Sequence, residues 1–383
     1  MKLRLALGGA TIAVAVACAG HGSDASVGDI DPPLPVPEAG PPGPDETDAG
    51  PGVDAAPRSL CSRDGWCTAE VPDPPPVFAD LWPLATTAFA VGNGIFEYDG
   101  TRWVFAHERV AELTTVWASS ADEVWAGGRY GRIFHGVRSA GSWRWTQERI
   151  GDTSTIVSLW GAGGSDLYAV TEKRAYHRAE APDGGALWRV EIEDETVPDP
   201  YNGNLLRLER VSGSGPNDVW ISGMRGDLCS YLAHKVDGAY ELVADCQSVC
   251  TDEFTCSTEP IPPALFDRWS PVEILAPQRA TAIQGDRIVR IVRNPAGVHE
   301  LTSIPTQGLF GRSLWGPSET NLYSAGYAQV RHNPNIENDG GAFEITSVAL
   351  AGTPLVAELE VRGTSPTNVW AFGGVYALHK TKP

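Results

Sequence analysis

The sequence predicts an all-β chain: a seven-bladed β-propeller of four-stranded blades, preceded by a signal peptide and a disordered acidic tether. Three observations carry that reading. A four-strand pattern recurs every 40–50 residues, the period of propeller blades. The 383 residues include 13 Trp, 42 Gly and 30 Pro, as many short strands joined by tight turns require. The last copy of the pattern also lacks its outermost strand, and a matching strand stands ahead of the first copy.

Each copy opens on apolar residues, often with Trp, and continues to Asp or Asn, an apolar residue and an aromatic. This element reads Val116-Trp117 … Asp122-Glu123-Val124-Trp125, Leu159-Trp160-Gly161 … Asp166-Leu167-Tyr168 and Val211-Ser212-Gly213 … Asp218-Val219-Trp220. It returns as Leu314-Trp315-Gly316 … Asn321-Leu322-Tyr323 and Val361-Arg362-Gly363 … Asn368-Val369-Trp370, with a worn first copy at Leu81-Trp82 … Phe89. A second element ends in His at positions 135, 177, 234, 332 and 379. A third follows a Gly turn, as in Gly100-Thr101-Arg102-Trp103 and Gly185-Ala186-Leu187-Trp188.

The aromatic steps from 125 to 168 to 220, then jumps 103 residues to Tyr323 and 47 to Trp370. The long gap predicts a degenerate copy, supplied by Ala282-Ile283-Gln284-Gly285, Ile288-Val289-Arg290 and the strand after Gly297. Seven copies result. Residues 65–71, beginning Gly65-Trp66-Cys67, are expected to complete the last blade and remove two sheet edges.

These repeats resemble the VWG…DVWAVG-type blades of bacterial secreted and lipoprotein β-propellers, loosely akin to kelch and BNR propellers. The resemblance covers residues 59–383 and implies a fold and an extracytoplasmic life; it implies no single activity. Residues 1–17 read as a signal peptide, with Lys2 and Arg4 ahead of a short apolar run. Ala15-Val16-Ala17-Cys18 resembles the lipobox of bacterial lipoproteins, which implies acylation of Cys18; Ala15 stands where Leu is usual. Small residues at 15 and 17 also suit general secretion. Residues 18–58 are then the lipid anchor and linker. From 19 to 57 the chain has no aromatic, no Lys or Arg, and eight carboxylates, so it cannot bury enough apolar surface to order itself.

A net charge of −19 argues against a phosphate backbone as partner, so no nucleic acid is expected. Six cysteines besides Cys18 suit disulfides in an oxidising compartment. Cys61 pairs with Cys67 in this reading. Cys229, Cys246, Cys250 and Cys256 allow three pairings, of which Cys229–Cys246 with Cys250–Cys256 is favoured. No zinc spacing, phosphate cradle or nucleophile elbow is found, so no metal or catalytic residue is assigned.

The five repeated histidines read as structural, because a catalytic group is needed once and these recur in blade after blade. The repeated Asp122, Asp166, Asp218, Asn321 and Asn368 are read as turn residues that satisfy amides between strands. Function is expected where the repeat is interrupted. The connection from the third to the fourth blade carries Glu193-Asp194-Glu195 and Tyr201, Asn202 and Asn204; the next carries Asp252, Glu253 and Phe254. With Arg129, Tyr130 and Arg225 from second-to-third-strand turns, these form a candidate binding face, since both kinds of loop leave a propeller on one side. The acidic loops also offer oxygen ligands for calcium, as a stabiliser. Together these features point to a cell-envelope lipoprotein, at the outer membrane or cell surface, that binds or scaffolds an envelope protein or glycan without catalysis. The alternative is an enzyme acting on extracellular polysaccharide or glycoside. It requires convergent carboxylates with an Arg or Tyr in the central channel, and Glu195, Asp252 and Arg225 are the nearest offerings.

Overall fold

The period-two alternation of each repeat folds as expected, into seven antiparallel four-stranded sheets. The computed structural model describes residues 60–382, apart from 109, 111, 181–184, 195–204, 227–228, 246–268, 309–310 and 339–340. The signal peptide, Cys18 and the tether lie outside the described residues, as do Cys246, Cys250 and Cys256.

Blade one comprises Phe78–Pro83, Ala88–Gly92, Ile95–Tyr98 and Trp103–His107. Blade two comprises Leu113–Ser120, Glu123–Gly128, Arg132–Ser139 and Ser142–Arg149, and blade three Ile156–Gly163, Asp166–Thr171, Arg174–Glu180 and Ala186–Glu193. Blade four runs through Leu206–Gly215, Asp218–Arg225, Cys229–Val236 and Ala239–Ala244. The degenerate copy is blade five: Trp269–Ala276, Arg279–Gln284, Arg287–Arg293 and His299–Pro305. Blade six holds Ser313–Trp315, Leu322–Gly326, Gln329–Asn333 and Glu344–Thr346.

Blade seven closes the ring. Its chain-terminal strands Glu360–Ser365, Asn368–Gly373 and Tyr376–Lys380 are completed by Trp66–Thr68, which pairs Trp66 with Lys380, Cys67 with His379 and Thr68 with Leu378. Trp66 is fully buried, and its indole donates to Thr346 of blade six at 2.8 Å. Cys61 and Cys67 are joined just ahead of and within this strand, at an S–S distance of 2.13 Å. On its other side the seam packs Trp103 of blade one against Trp370, with ring centroids 5.4 Å apart. Strands from the two extremes of the described chain are thus paired in one sheet.

The repeated polar residues have one structural task. In five blades the second-strand aromatic faces the third-strand His, and the rings stack nearly parallel. Trp125 lies on His135 at 3.6 Å, Tyr168 on His177 at 4.3 Å and Trp220 on His234 at 3.7 Å. Tyr323 on His332 and Trp370 on His379 stand at 4.0 Å. The His Nε2 in turn meets the oxygen that opens the second strand: Asp166 at 2.6 Å, Asp218 at 2.7 Å, Asn321 at 2.8 Å and Asn368 at 2.9 Å. The turn amide expected as their partner is seen at Asp218, which accepts the Gln278 N–H of blade five at 2.8 Å, but the task shared by Asp166, Asp218, Asn321 and Asn368 is to hold the histidines. In blade two the position belongs to Glu123, 3.0 Å from His135, and not to Asp122. Two adjacent acids made the register ambiguous in sequence, and strand pairing resolves it.

The partner's charge sets each imidazole's affinity for protons. Burial drives His332 and His379, bound to neutral amides, down to about 4, helped at His332 by the nearby charge of Lys380. His177 moves upward, because the carboxylates of Glu191 and Asp166 favour its charged form over the cost of burial.

Candidate functional site

The first strand of each blade lines the central channel, and strand register defines equivalent positions around it. Opposite the second-strand aromatic position stand Trp82, Trp117, Trp160, Ser212, Glu273, Trp315 and Arg362 in blades one to seven. Where the residue is Trp it packs across a blade boundary. A Cβ on Gly161 would stand 2.7 Å from the Trp117 ring, and one on Gly363 would stand 2.6 Å from the Trp315 ring. Glycine there makes room for the neighbour's indole.

Two residues earlier, on the same strand face, a second polar contact joins four of the blades to the next. Asp80 accepts the Val116 N–H at 2.9 Å, Thr115 that of Leu159 at 3.1 Å, Ser158 that of Val211 at 3.1 Å and Ser313 that of Val361 at 2.8 Å. These inward polar side chains satisfy strand N–H groups that would otherwise be unpaired inside the ring.

Blades four, five and seven depart from both patterns. Arg210 replaces the small hydroxyl residue and stands 2.5 Å from Glu273 of blade five. Arg362 stands 3.1 Å from Asp80 and donates to the Leu81 carbonyl at 3.1 Å. Its Nε is buried with no hydrogen-bond partner. Glu360 occupies the equivalent of Arg210 in blade seven. Burial raises the Glu273 and Glu360 carboxyls above their ordinary range, against the pull of the two guanidiniums, and the surrounding carboxylates hold Arg362 charged despite burial. The channel therefore has an indole sector and a charged sector of three acids and two arginines.

At the end bearing the first-to-second-strand turns, the channel opens into a cavity of about 290 Å³. Trp82, Trp160, Trp315, Arg210, Glu273 and Arg362 are among the residues lining it. A smaller cavity of about 130 Å³ at the opposite end is lined by Asp80, Thr115, Ser158, Arg210, Glu360 and Arg362.

The residues expected from sequence to form a binding face are placed differently from one another. Arg129 and Tyr130 form a short exposed turn in blade two; Tyr130 is 52% exposed and Arg129 pairs with Glu112 at 3.0 Å. Arg225 is not on the surface. Its side chain is 3% exposed, and it reaches Asp194 at 3.0 Å and Asp245 at 2.7 Å. Asp194 also accepts the Leu206 N–H at 3.0 Å. One buried guanidinium thus anchors the base of both long connections, 194–205 and 245–268. Tyr201, Asn202, Asn204, Asp252, Glu253 and Phe254 lie outside the described residues, and so do Glu195 and the side chain of Cys229. Cys229 begins the third strand of blade four.

Among the described residues, none of those nominated from sequence supplies the channel's charge. Asp80, Arg210, Glu273, Glu360 and Arg362 do, and sequence reasoning passed over all five. A usable signal was present: charged residues at or two positions before the place where other copies carry Trp. Among the described residues no three His, Cys, Asp or Glu side chains form a metal-holding group, and no helix is long and apolar enough to cross a membrane. Of the acids considered for calcium, Glu193 is taken by Arg174 and Asp194 by Arg225.

No protein-family model matches the chain, and no curated protein matches it. Solved structures do. YCF48 from Cyanidioschyzon merolae superposes with a TM-score of 0.56 at 14% identity, over 83% of this chain and 99% of that one. Virginiamycin B lyase from Staphylococcus aureus gives 0.55 at 13% identity, over 84% of this chain and 97% of that one. The extracellular domain of the one-component system BT4673 from B. thetaiotaomicron gives 0.55 at 11%, over 83% of this chain. This chain spans only 40% of that domain's length. The neighbours are β-propellers. At such identities the likeness shows the fold alone.

Proposed function

We propose that this chain is a lipid-anchored cell-envelope protein whose propeller binds a protein or glycan partner through its connection face, without catalysis. The lipobox-like run at Cys18 and the acidic stretch after it support a tether, at the outer membrane or cell surface. One observation supports the binding face most directly. Asp194 and Asp245, the described residues at which the two longest inserted connections begin, share one buried node with Arg225. A buried guanidinium with two carboxylates is costly to assemble and fixes position once made. Insertions on a rigid base, on one face of a repeat protein, suit recognition. A structure of YCF48 bound to D1 peptide shows that a propeller of similar fold can hold a peptide.

The channel gives the enzyme reading its own footing, since convergent carboxylates and arginines are present there. Their commitments favour binding instead. Asp80 accepts two backbone N–H groups and faces Arg362, and Glu273 faces Arg210, so among the described channel carboxylates Glu360 alone is left for acid–base work. Hydrolysis of a glycoside needs two carboxyl groups in complementary protonation states.

The test is affinity capture from envelope extracts with the lipidated chain and with a variant in which 246–268 is replaced by a short Gly-Ser connection. A partner retained by the first and lost by the second, at unchanged folding, is the expected result. Identical capture by both contradicts the assignment of the face. Mass spectrometry of the mature N-terminus should find acyl groups on Cys18, and an unmodified terminus would remove the anchor.

A further inference from the structure

The second feature that departs from the repeat lies at the other end of the channel, away from the long connections. We infer that the 290 Å³ cavity is a binding site for an uncharged sugar ring, of one or two residues, held between the indole sector and the charged sector. This deepens the proposed function by adding a small-ligand site separate from the connection face.

The argument starts from what the position needs structurally. Trp fills it in blades one, two, three and six, and packs over the next blade. Ser212, Glu273 and Arg362 replace it in the other three, and Arg210 adds a further charge two residues before Ser212. An apolar solution was available to the fold and is used elsewhere in the same ring. Burying ions costs several kcal/mol each before pairing recovers part of it, so packing does not account for the substitution. A ligand does.

The chemistry narrows its class. A cation is disfavoured, because Arg362 already lies over the Trp82 ring at 5.5 Å and Arg210 stands beside Glu273. An anion would face Glu273, and the two guanidiniums lining the cavity, Arg210 and Arg362, already have carboxylate partners in Glu273 and Asp80. A neutral polyol needs no ion pair broken. Each hydroxyl both donates and accepts, so it can bridge a spare guanidinium N–H and a spare carboxylate lone pair. The apolar C–H face of a pyranose suits the indoles of Trp82, Trp160 and Trp315, which join an apolar body to a polar edge. The volume sits at the small end of ligand pockets, which run from about 300 Å³ upward.

The test uses the mature chain and a panel of glucose, galactose, N-acetylglucosamine, maltose and cellobiose, followed by calorimetry and tryptophan fluorescence. At least one sugar should bind and alter the fluorescence. Ser212→Trp restores the residue that other blades carry, and it should abolish binding while the chain stays folded. Glu273→Gln should weaken it roughly tenfold. Sugar binding should survive replacement of 246–268, so this site and the connection face can fail separately. No binding by any sugar at millimolar concentration overturns the inference. So does binding indifferent to Ser212→Trp.

Discussion

The aromatic–histidine layer and the channel wall are built from the same seven blades, yet they treat repetition in opposite ways. In the layer, five blades repeat one stack and one hydrogen bond, and even the substitution of Asn for Asp keeps the geometry. In the wall, four blades place Trp where three place Ser, Glu or Arg. A group that every blade needs serves the blade. A group that breaks the pattern, and carries buried charge while doing so, needs another explanation. The difference separates stability from function within one fold.

The largest effect expected from the layers concerns closure. Removing 59–72 deletes the strand carrying Trp66 and exposes the edge of Tyr376–Lys380, whereas removing 19–57 touches none of the described contacts. The first truncation should unfold the chain or cost most of its stability, and Trp66→Ala alone should cost about 3–5 kcal/mol. The second should leave the melting temperature where it was. Calorimetry on the two truncations checks this, and equal melting temperatures would break the account of closure.

That closing strand was legible because a Trp in the right register stood ahead of the first copy, and alternation fixed the strands of blades two, three, four and seven just as plainly. Blade five was found only by the length of its gap, since it has Thr281 and Arg290 where others have the aromatic and His. The charged channel was missed for a physical reason, since its signal, charge at or near the place where other copies carry Trp, gains meaning only once the ring is closed. A strand with one polar face looks the same whether that face meets bulk water or the inside of a ring, so Asp80 and Arg210 read as ordinary surface residues. Only closure turns that face inward. Arg225 misled in the reverse direction: an Arg at a strand end is usually exposed, and the two carboxylates that bury it lie 31 residues before and 20 residues after it in sequence.

A smaller effect separates the layer's members. His234 is fully buried, with Asp218 at 2.7 Å on one nitrogen and His299 of blade five at 2.9 Å on the other. His234→Ala should cost about 3 kcal/mol, because it removes a fully buried ring stacked on Trp220 and takes one of several hydrogen bonds from the buried Asp218 carboxylate. His332→Ala leaves only a neutral amide unpaired and should cost less. Urea denaturation of both variants checks the order.

The same layer predicts how stability depends on pH. His332 and His379 titrate near about 4 when folded but near 6.5 when unfolded, so the unfolded chain takes up protons first and stability falls as pH drops from about 6.5 to 4. Below that, Asp218 and Glu191, both held down to about 2 by their hydrogen-bonded partners, lose their contribution between about pH 4 and 2. Denaturation midpoints across pH should show both declines. The upper one should shrink when His332 and His379 are replaced by Gln.

The most direct test sets the channel against the layer. If the Arg210–Glu273 pair is kept for function, Glu273→Leu alone should destabilise the chain by stranding Arg210. The double variant Arg210→Met with Glu273→Leu should then be neutral or more stable by about 1–4 kcal/mol. Unfolding free energies of the single and double variants decide it. A double variant that loses as much stability as His234→Ala would show the charged sector to be structural, and would contradict the division drawn between the two regions.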